Sequence, residues 1–402
     1  RVDHLVEGSV RVQGERMRVA VRLIATQADQ QRWSDSFDAS LEEVFAIQER
    51  IARHIVSALE LHLTQEEDRH LRRQPAQGNL QAWQLAMAAR QQSLRWRPDA
   101  IDQAIDLLGR AIELAGDEPM LHAALGRTWL HYREAGIDLS ERPLTEAQHQ
   151  AERLLAIDAN DPGTRQLAGW IHYSRGEVQQ AVRELQRAVQ VNQSDPDTLG
   201  LLSNCYLISG RVTRARPLIE RLLAIDPLTP LTQCLPGWAD ALDGDFRAAL
   251  PAYRRMFEMD PGNPIGRLFY VWILASLGDT EELLQRVEEF PAPLADSLPA
   301  QIARMFARAV RGEALPSGEA LPDHHEALAM SNDMFPRLLG QAYALAGNGT
   351  EAVRWLSVAV DRGFIHYPFL AESDPTLKGI AGDRDFVRLL ETARERWSAF
   401  ED

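Results

Sequence analysis

Prolines recur in this chain at a fixed interval of 34 residues. Four of them keep it: Pro162, Pro196, Pro230 and Pro264. Each is the last residue of a short polar loop that follows an apolar stretch, as in "LLAIDPLTP" (222–230). Glycines hold the same interval at Gly176, Gly210, Gly244, Gly278 and Gly312. Proline is favoured in the first turn of a helix, and glycine supplies the left-handed residue after a helix. Each period therefore predicts two helices and two joints.

Small residues stay in phase with this period. One column holds Ala181, Ala215, Ala249 and Ala352, and another holds Gly169, Gly237 and Gly340. Small side chains at fixed helical positions let neighbouring helices approach closely. A pair of short helices cannot bury its apolar stripe alone, whereas stacked pairs can. The repeat therefore predicts a mainly α-helical solenoid.

A helix–turn–helix unit of this length, with these columns, resembles the tetratricopeptide repeat. We expect about eight units over residues 79–361, with a lengthened turn at 135–143 and a broken or short second helix within 312–333. The resemblance implies that the first helices line a concave wall. It also implies that the residue after the small first-helix column points into that groove.

The expected groove residues are Met87, Arg127, Trp170, Asn204, Trp238, Trp272, Phe306 and Gln341. Aromatic side chains that line a groove are typical of interaction sites. Helix–helix packing is the alternative interpretation of these aromatics. We place Trp129 and Tyr206 between helices by their packing position in the repeat.

The N-terminal residues follow a period of two instead. In "RMRVAVRLI" (16–24), apolar residues alternate with arginine or alanine, which predicts a strand with one buried face. Strands are also expected before it and at 31–37, followed by a capping box at Ser40 and Glu43 and then a helix. This truncated α+β segment resembles the end of the TolB-like domain. The C-terminal "SDPTLKGIAGDRDFVRLLETARERW" resembles the closing segment of the same family.

The TolB-like resemblance implies a bacterial signalling protein. In such proteins an upstream output domain is usually a class III adenylate cyclase, a winged-helix regulator or a protein kinase. The chain begins with Arg1 rather than Met, and we expect it to be a fragment. The expected division is 1–63 for the TolB-like segment, 64–78 for a linker, 79–361 for the solenoid and 362–402 for a C-terminal capping segment.

The sequence contains no glycine-rich phosphate loop, nucleophile elbow or HExxH motif, which predicts no catalysis and no cofactor in this portion. Asp323, His324 and His325 are expected in a solvated loop rather than at a metal. Cys205 and Cys234 are expected to be unpaired buried thiols. The net charge of −15 argues against direct nucleic-acid binding. No apolar run is long enough to insert into a membrane.

These observations favour a non-catalytic regulatory module that binds a protein or peptide in the concave groove. Three alternatives remain open: the regulatory portion of an adenylate or guanylate cyclase, the effector portion of a winged-helix transcription regulator, and a solenoid that associates with itself. The expected compartment is the cytoplasm, or the periplasm if a membrane segment lies upstream.

Overall fold

The computed structural model describes residues 3–14, 16–26, 30–40, 43–62, 68, 80–93, 97–159, 161–317 and 321–401. Its contacts divide the chain into two compact units, Arg1–Thr128 and Trp129–Asp402. Apart from residue 68, the linker expected at 64–78 lies outside the described residues. The two units are taken in turn.

The first unit begins with an antiparallel sheet of order β1-β2-β3. Its strands are β1 His4–Gln13, β2 Arg16–Ala25 and β3 Gln30–Ser40. The alternation in β2 buries Met17, Val19, Val21 and Leu23 on one face, as predicted. Helix α1, Val44–Ala58, contacts β3 and buries Ile47 in the same core. The backbone N–H of Ser40 donates to the Glu43 carboxylate at 2.9 Å, which is one half of the predicted capping box.

The helix pairs follow, and we number them as repeats 1 to 8. Repeat 1 lies in the first unit and consists of α2 Leu80–Ser93 and α3 Pro98–Ala115. Helix α4, Pro119–Glu134, begins in the first unit and ends in the second. The remaining helices of the repeats are α5 Arg142–Ile157, α6 Pro162–Ser174, α7 Val178–Val191, α8 Pro196–Ile208, α9 Val212–Ile225, α10 Pro230–Leu242, α11 Phe246–Met259, α12 Pro264–Leu277, α13 Thr280–Glu288, α14 Leu298–Val310, α15 Asp323–Ala329, α16 Met334–Leu345 and α17 Gly349–Asp361.

The phased prolines and glycines explain where these helices begin and end. The four phased prolines each occupy the first turn of a first helix. The glycine after α12, Gly278, has a φ of 74°, which is the left-handed region that glycine adopts without steric cost. At Gly169 a Cβ would lie 2.6 Å from Leu185, so the close approach of α6 and α7 requires glycine there. The solenoid of helix pairs is confirmed.

The structure also shows where the repeat is irregular. Residues 135–141 form the lengthened turn between α4 and α5, and α15 is a second helix of only seven residues. Asp323, His324 and His325 do not lie in the solvated loop that we predicted. They form the first turn of α15, which follows Pro322, and His325 is buried. The proline starts a short helix here, so a stretch that looked like a break is a helix beginning.

Residues 363–383 leave the repeat pattern, and we call them the docked segment. They contain a π-helical turn, Phe369–Ser373, and a 3₁₀ helix, Pro375–Ile380. Helix α18, Arg384–Ser398, ends the chain and contacts α17. No helix in the described part of the chain is long and apolar enough to span a membrane.

Candidate functional site

The first helices of repeats 3 to 8 form an inner wall in the second unit. Helix α8 contacts α6 and α10, and α14 contacts α12 and α16, so these helices lie side by side. The 3₁₀ helix of the docked segment contacts α12 and α16 from the inside. We call this surface the concave wall. It is built by the side chains that the repeat phase places one after another on the first helices.

The expected groove residues of the second unit occupy this wall with different exposures. Trp238 is 8% exposed, while Trp272, Phe306 and Gln341 are fully buried. Trp170 and Asn204 are partly exposed. Arg127 and Met87 belong to the first unit, where both are partly exposed. Their role in binding a partner stays a prediction.

Aromatic rings from the docked segment cover the middle of the wall. The ring of Phe364 stacks on Trp238 with centroids 6.3 Å apart, and Phe369 meets Trp238 edge-on at 6.2 Å. Trp272 lies behind them, with its ring 5.4 Å from that of Trp238. Such offset and edge-to-face pairs contribute about 0.5–1.5 kcal/mol each beyond their buried area. Trp238 therefore binds part of the chain itself.

A buried cation lies among these rings. The guanidinium of Arg337 is 4.5 Å from the ring centroid of Trp238, 4.8 Å from that of Trp272 and 5.5 Å from that of Phe364. Burial lowers the pKa of Arg337 to about 10, so the group stays charged at neutral pH. Ring faces attract a desolvated guanidinium. They offset part of the cost of burying its charge.

Hydrogen bonds connect this cation to a carboxylate of the docked segment. Arg337 Nη1 donates to Gln341 Oε1 at 3.0 Å, and Gln341 Nε2 donates to the Asp374 carboxylate. The other oxygen of Asp374 accepts from the backbone N–H and the hydroxyl of Thr376, at 2.9 and 2.7 Å. Burial raises the pKa of Asp374. Arg337 Nε has no hydrogen-bond partner among the described residues.

The two ends of the wall are joined by contacts between distant repeats. The hydroxyl of Tyr173, on the first helix of repeat 3, donates to Asp333 at 2.9 Å. Asp333 immediately precedes α16, the first helix of repeat 8, and burial raises the pKa of its carboxyl group. The backbone N–H of Ile365 donates to the Ile208 carbonyl at 3.0 Å. Repeat 8 and the docked segment thus contact repeats 3 and 4.

Helix α18 and the residues after it bind the turns of the same repeats. Arg211 donates to the carbonyl oxygens of Trp397 and Phe400, at 3.0 and 2.8 Å. The backbone N–H of Glu401 donates to Gln179 at 2.8 Å. Gly210 lies against the indole of Trp397 so closely that a Cβ there would be 2.6 Å from its Nε1. The C-terminal residues are therefore anchored on repeats 3 and 4.

The region where repeat 2 adjoins the beginning of the wall at repeat 3 is more open. Trp170 Nε1 donates to Glu134 at 2.6 Å, and its ring meets that of His131 at 5.4 Å. Glu134 is exposed, and Trp170 and His131 are partly exposed. Asn204 lies one repeat further on and donates to the hydroxyl oxygen of Tyr173 at 3.3 Å. An aromatic ring, a carboxylate and an amide are thus accessible here together.

The arrangement holds aromatic side chains and a carboxylate of the docked segment. In the described residues, no group of three or more His, Cys, Asp and Glu side chains is placed to hold a metal ion. The two cysteines are buried free thiols, and burial raises the pKa of Cys234 to about 12. The sequence leaves open whether an end segment of the chain, within residues 364–402, fills the groove, but sequence reasoning missed Arg337. The spacing of Phe364, Phe369, Leu377 and Ile380 could have indicated a second apolar surface.

Comparisons with known proteins agree with this architecture. Residues 173–231 match the family model of the tetratricopeptide repeat. Putative adenylate cyclase 3 of Rhizobium meliloti (strain 1021) is 27% identical over 164 residues. That alignment covers 40% of this chain and 27% of the cyclase, so the chain spans only about a quarter of this relative.

Solved structures of repeat proteins are similar in fold. A thermophilic TPR protein of Thermus thermophilus is 20% identical over 48% of this chain and 98% of its own, with a TM-score of 0.40. A tetratricopeptide repeat protein from Parabacteroides merdae is 12% identical over 70% and 100%, with a TM-score of 0.42. YrrB, a TPR protein with an unusual peptide-binding site, is 17% identical over 46% and 89%, with a TM-score of 0.31.

Proposed function

Because the chain is a tetratricopeptide-repeat protein, we propose that it is a regulatory interaction module of a bacterial signalling protein, whose partner is a protein or peptide bound on the concave wall. The repeat fold supports an interaction or regulatory role. The proposal adds the place of binding and the kind of partner.

One observation carries the proposal. The concave wall already holds a stretch of polypeptide through side-chain contacts, with Phe364 and Phe369 on Trp238 and Asp374 on Gln341. Buried aromatic and arginine side chains are the groups that most often dominate the affinity of protein interfaces. A surface with this chemistry suits a peptide better than a small polar metabolite.

The open beginning of the wall is the proposed first point of contact for the partner. Trp170 offers a ring face, Glu134 a carboxylate and Asn204 an amide, and each is at least partly exposed. A basic side chain of a partner would find a cation–π contact with Trp170 and an ionic contact with the ionised form of Glu134, whose pKa desolvation raises to about 7. We expect Trp170 to contribute most, since a large ring buries the most area on binding.

The output of the parent protein is proposed by similarity. The relative in Rhizobium meliloti is named a putative adenylate cyclase, and the alignment covers 27% of it. The alternative function is therefore the regulatory portion of a class III cyclase, with residues 1–63 as its TolB-like segment. Partner binding on the concave wall would then change the rate of cyclic-nucleotide formation by the parent protein.

A peptide library tests the binding proposal. Peptides selected on the full chain should lose about 2 kcal/mol of affinity, or roughly thirtyfold, when Trp170 is changed to alanine, if that ring is a hot spot. The matched control is Arg187→Ala, an exposed residue on the second helix of the same repeat. The proposal fails if no peptide is selected, or if both variants bind the selected peptides equally well. For the alternative, the parent protein must form a cyclic nucleotide from ATP or GTP, and the selected peptide must change that rate.

A further inference from the structure

The docked segment places three side chains in the concave wall at equal intervals. Phe364, Phe369 and Asp374 are five residues apart, and each is at least 96% buried. Between them Tyr367, Ala371 and Glu372 are partly or fully exposed, whereas Ile365, His366 and Leu370 are also buried. The segment therefore contacts the wall in the manner of a bound peptide, through selected side chains.

The two phenylalanines fill the apolar part of the wall. Phe364 stacks on Trp238 and lies 5.5 Å from the Arg337 guanidinium. Phe369 contacts Trp238 on one side and Phe246 on the other, with ring centroids 6.2 and 6.4 Å away. The wall thus offers two adjoining aromatic positions, and both are bordered by residues of repeat 5.

The carboxylate meets the polar end of the wall. Asp374 accepts from Gln341, which itself accepts from Arg337. The charge of Arg337 favours the ionised carboxylate at this position, since opposite buried charges attract. Without a carboxylate there, the guanidinium would be buried with less compensation. Burial nevertheless raises the pKa of Asp374, so the wall offers a hydrogen-bond donor and a nearby positive charge to an acidic side chain at the third position without fully offsetting the cost of burying it.

The segment is held by side chains more than by backbone pairing. Among the described residues, the backbone bond from Ile365 to Ile208 ties it to another repeat, while the bonds of Leu370, Asp374 and Leu377 run within the segment itself. For the segment to leave, the repeats give up the bond at the Ile208 carbonyl, at the end of α8, and the bond from the Phe364 N–H to the Ala359 carbonyl of α17. The segment is deeply buried, with Phe364, Phe369 and Leu370 each at most 2% exposed, so its opening costs these apolar contacts.

We propose that the docked segment is an exchangeable occupant of the concave wall, and that the partner presents a segment of the same chemistry: two aromatic side chains and a carboxylate at intervals of five residues. This rests on the proposed function and specifies its partner. A partner with this pattern would displace residues 363–383 and leave the repeats folded. Apparent affinity would then be set by competition between the two segments.

The test uses the full chain and a labelled synthetic peptide with the sequence of residues 362–383. Gly363→Ala loosens the docked segment without changing the wall, because its Cβ would lie 2.3 Å from Val178 and its φ is 104°. The matched control is Gly347→Ala, which has a φ of 77° and nothing within 4 Å of a Cβ. Fluorescence anisotropy then gives the affinity of the peptide for the unaltered chain and for both variants.

The peptide should bind the Gly363→Ala variant at least about tenfold more tightly than it binds the unaltered chain or the control. The reason is that the apparent affinity is the intrinsic affinity multiplied by the fraction of molecules whose wall is not occupied by the docked segment. A peptide with alanine at Phe364 and Phe369 and asparagine at Asp374 should lose binding. The proposal is overturned if the folded Gly363→Ala variant gains no affinity, or if the altered peptide binds equally well.

Hydrogen exchange on the unaltered chain decides the matter if the Gly363→Ala variant does not fold. Amides of residues 364–374 should exchange at least about tenfold faster than the protected amides of α10, because the segment opens separately from the repeats. Equal rates would mean that it leaves only on global unfolding, which overturns the proposal. Neither experiment needs the natural partner, so its outcome is independent of the library selection above.

Discussion

Replacing Trp272 by alanine should destabilise the protein more than replacing Trp170, because Trp272 lies in the buried part of the concave wall and Trp170 in its open part. The repeat phase assigns Trp272 and Trp170 the same position in their units, but the structure surrounds them differently. Trp272 is fully buried, and the rings of Trp238, Phe246 and Tyr253 lie 5.4, 5.8 and 5.9 Å from it. Trp170 is partly exposed.

The magnitudes follow from these surroundings. Replacing a fully buried tryptophan by alanine leaves a cavity and costs about 3–5 kcal/mol. The indole nitrogen of Trp272 has no hydrogen-bond partner among the described residues, so the loss is one of packing. Trp170→Ala removes one hydrogen bond, to Glu134, one ring contact and the buried part of a large ring, and should cost about 1–3 kcal/mol.

Urea unfolding followed by far-ultraviolet circular dichroism measures both losses. The Trp272→Ala variant should unfold at a clearly lower urea concentration than the Trp170→Ala variant, and the slope of the transition should be unchanged if unfolding remains two-state. Equal midpoints for the two variants would refute the reasoning. In that case the aromatic rings around Trp272 would not form the core that the structure shows.

Two further predictions concern the C-terminal residues. Gly210→Ala should lower the free energy of unfolding by about 1–3 kcal/mol more than Gly278→Ala does. Both glycines have a φ near 75°, but an added Cβ would lie 2.6 Å from Trp397 at Gly210 and in open space at Gly278. Equal urea midpoints for the two variants would contradict the docking of α18. Burial lowers the pKa of His366 to about 4 in the folded chain, whereas a histidine in the unfolded chain has a pKa near 6.5. As the pH falls from 6.5 to 4, the unfolded chain therefore takes up a proton at His366 and the folded chain does not. Stability should therefore decrease by up to about 3 kcal/mol from pH 6.5 to pH 4, and more in the unaltered chain than in His366→Gln; parallel pH profiles of the urea midpoint would contradict this.

The sequence predicts the elements that depend on local chemistry. Phased prolines and glycines place the helix boundaries, and the alternation in residues 16–24 places the central strand and its buried face. These features depend on residues close in sequence, so one chain suffices to identify them. The column containing Gly169 is likewise explained by one neighbouring helix, through Leu185.

The concave wall is harder to predict because its surroundings are distant in sequence. The repeat phase places Trp238 and Trp272 on the inner side of the first helices, but it does not contain residues 363–383. Phe364 lies far from Trp238 along the chain, and the two meet only when the repeats have curved. A buried Arg337 is equally invisible to the pattern, since a charged residue on a helix is usually exposed. The phase of the repeat alone therefore does not predict which side chains of the groove are exposed.

The contacts between repeat 3 and the C-terminal residues have a consequence for synthesis of the chain. In an open array of repeats, each unit contacts only its neighbours, so folding can follow translation one helix pair at a time. Here Tyr173 bonds a residue 160 positions later, and Gln179 bonds Glu401, 222 positions later. Contacts of such long range slow folding, because the loop must close before they form. The second unit therefore cannot complete its fold until residues up to 401 have left the ribosome, and its concave wall stays uncovered on the nascent chain until residues 363–383 have been made.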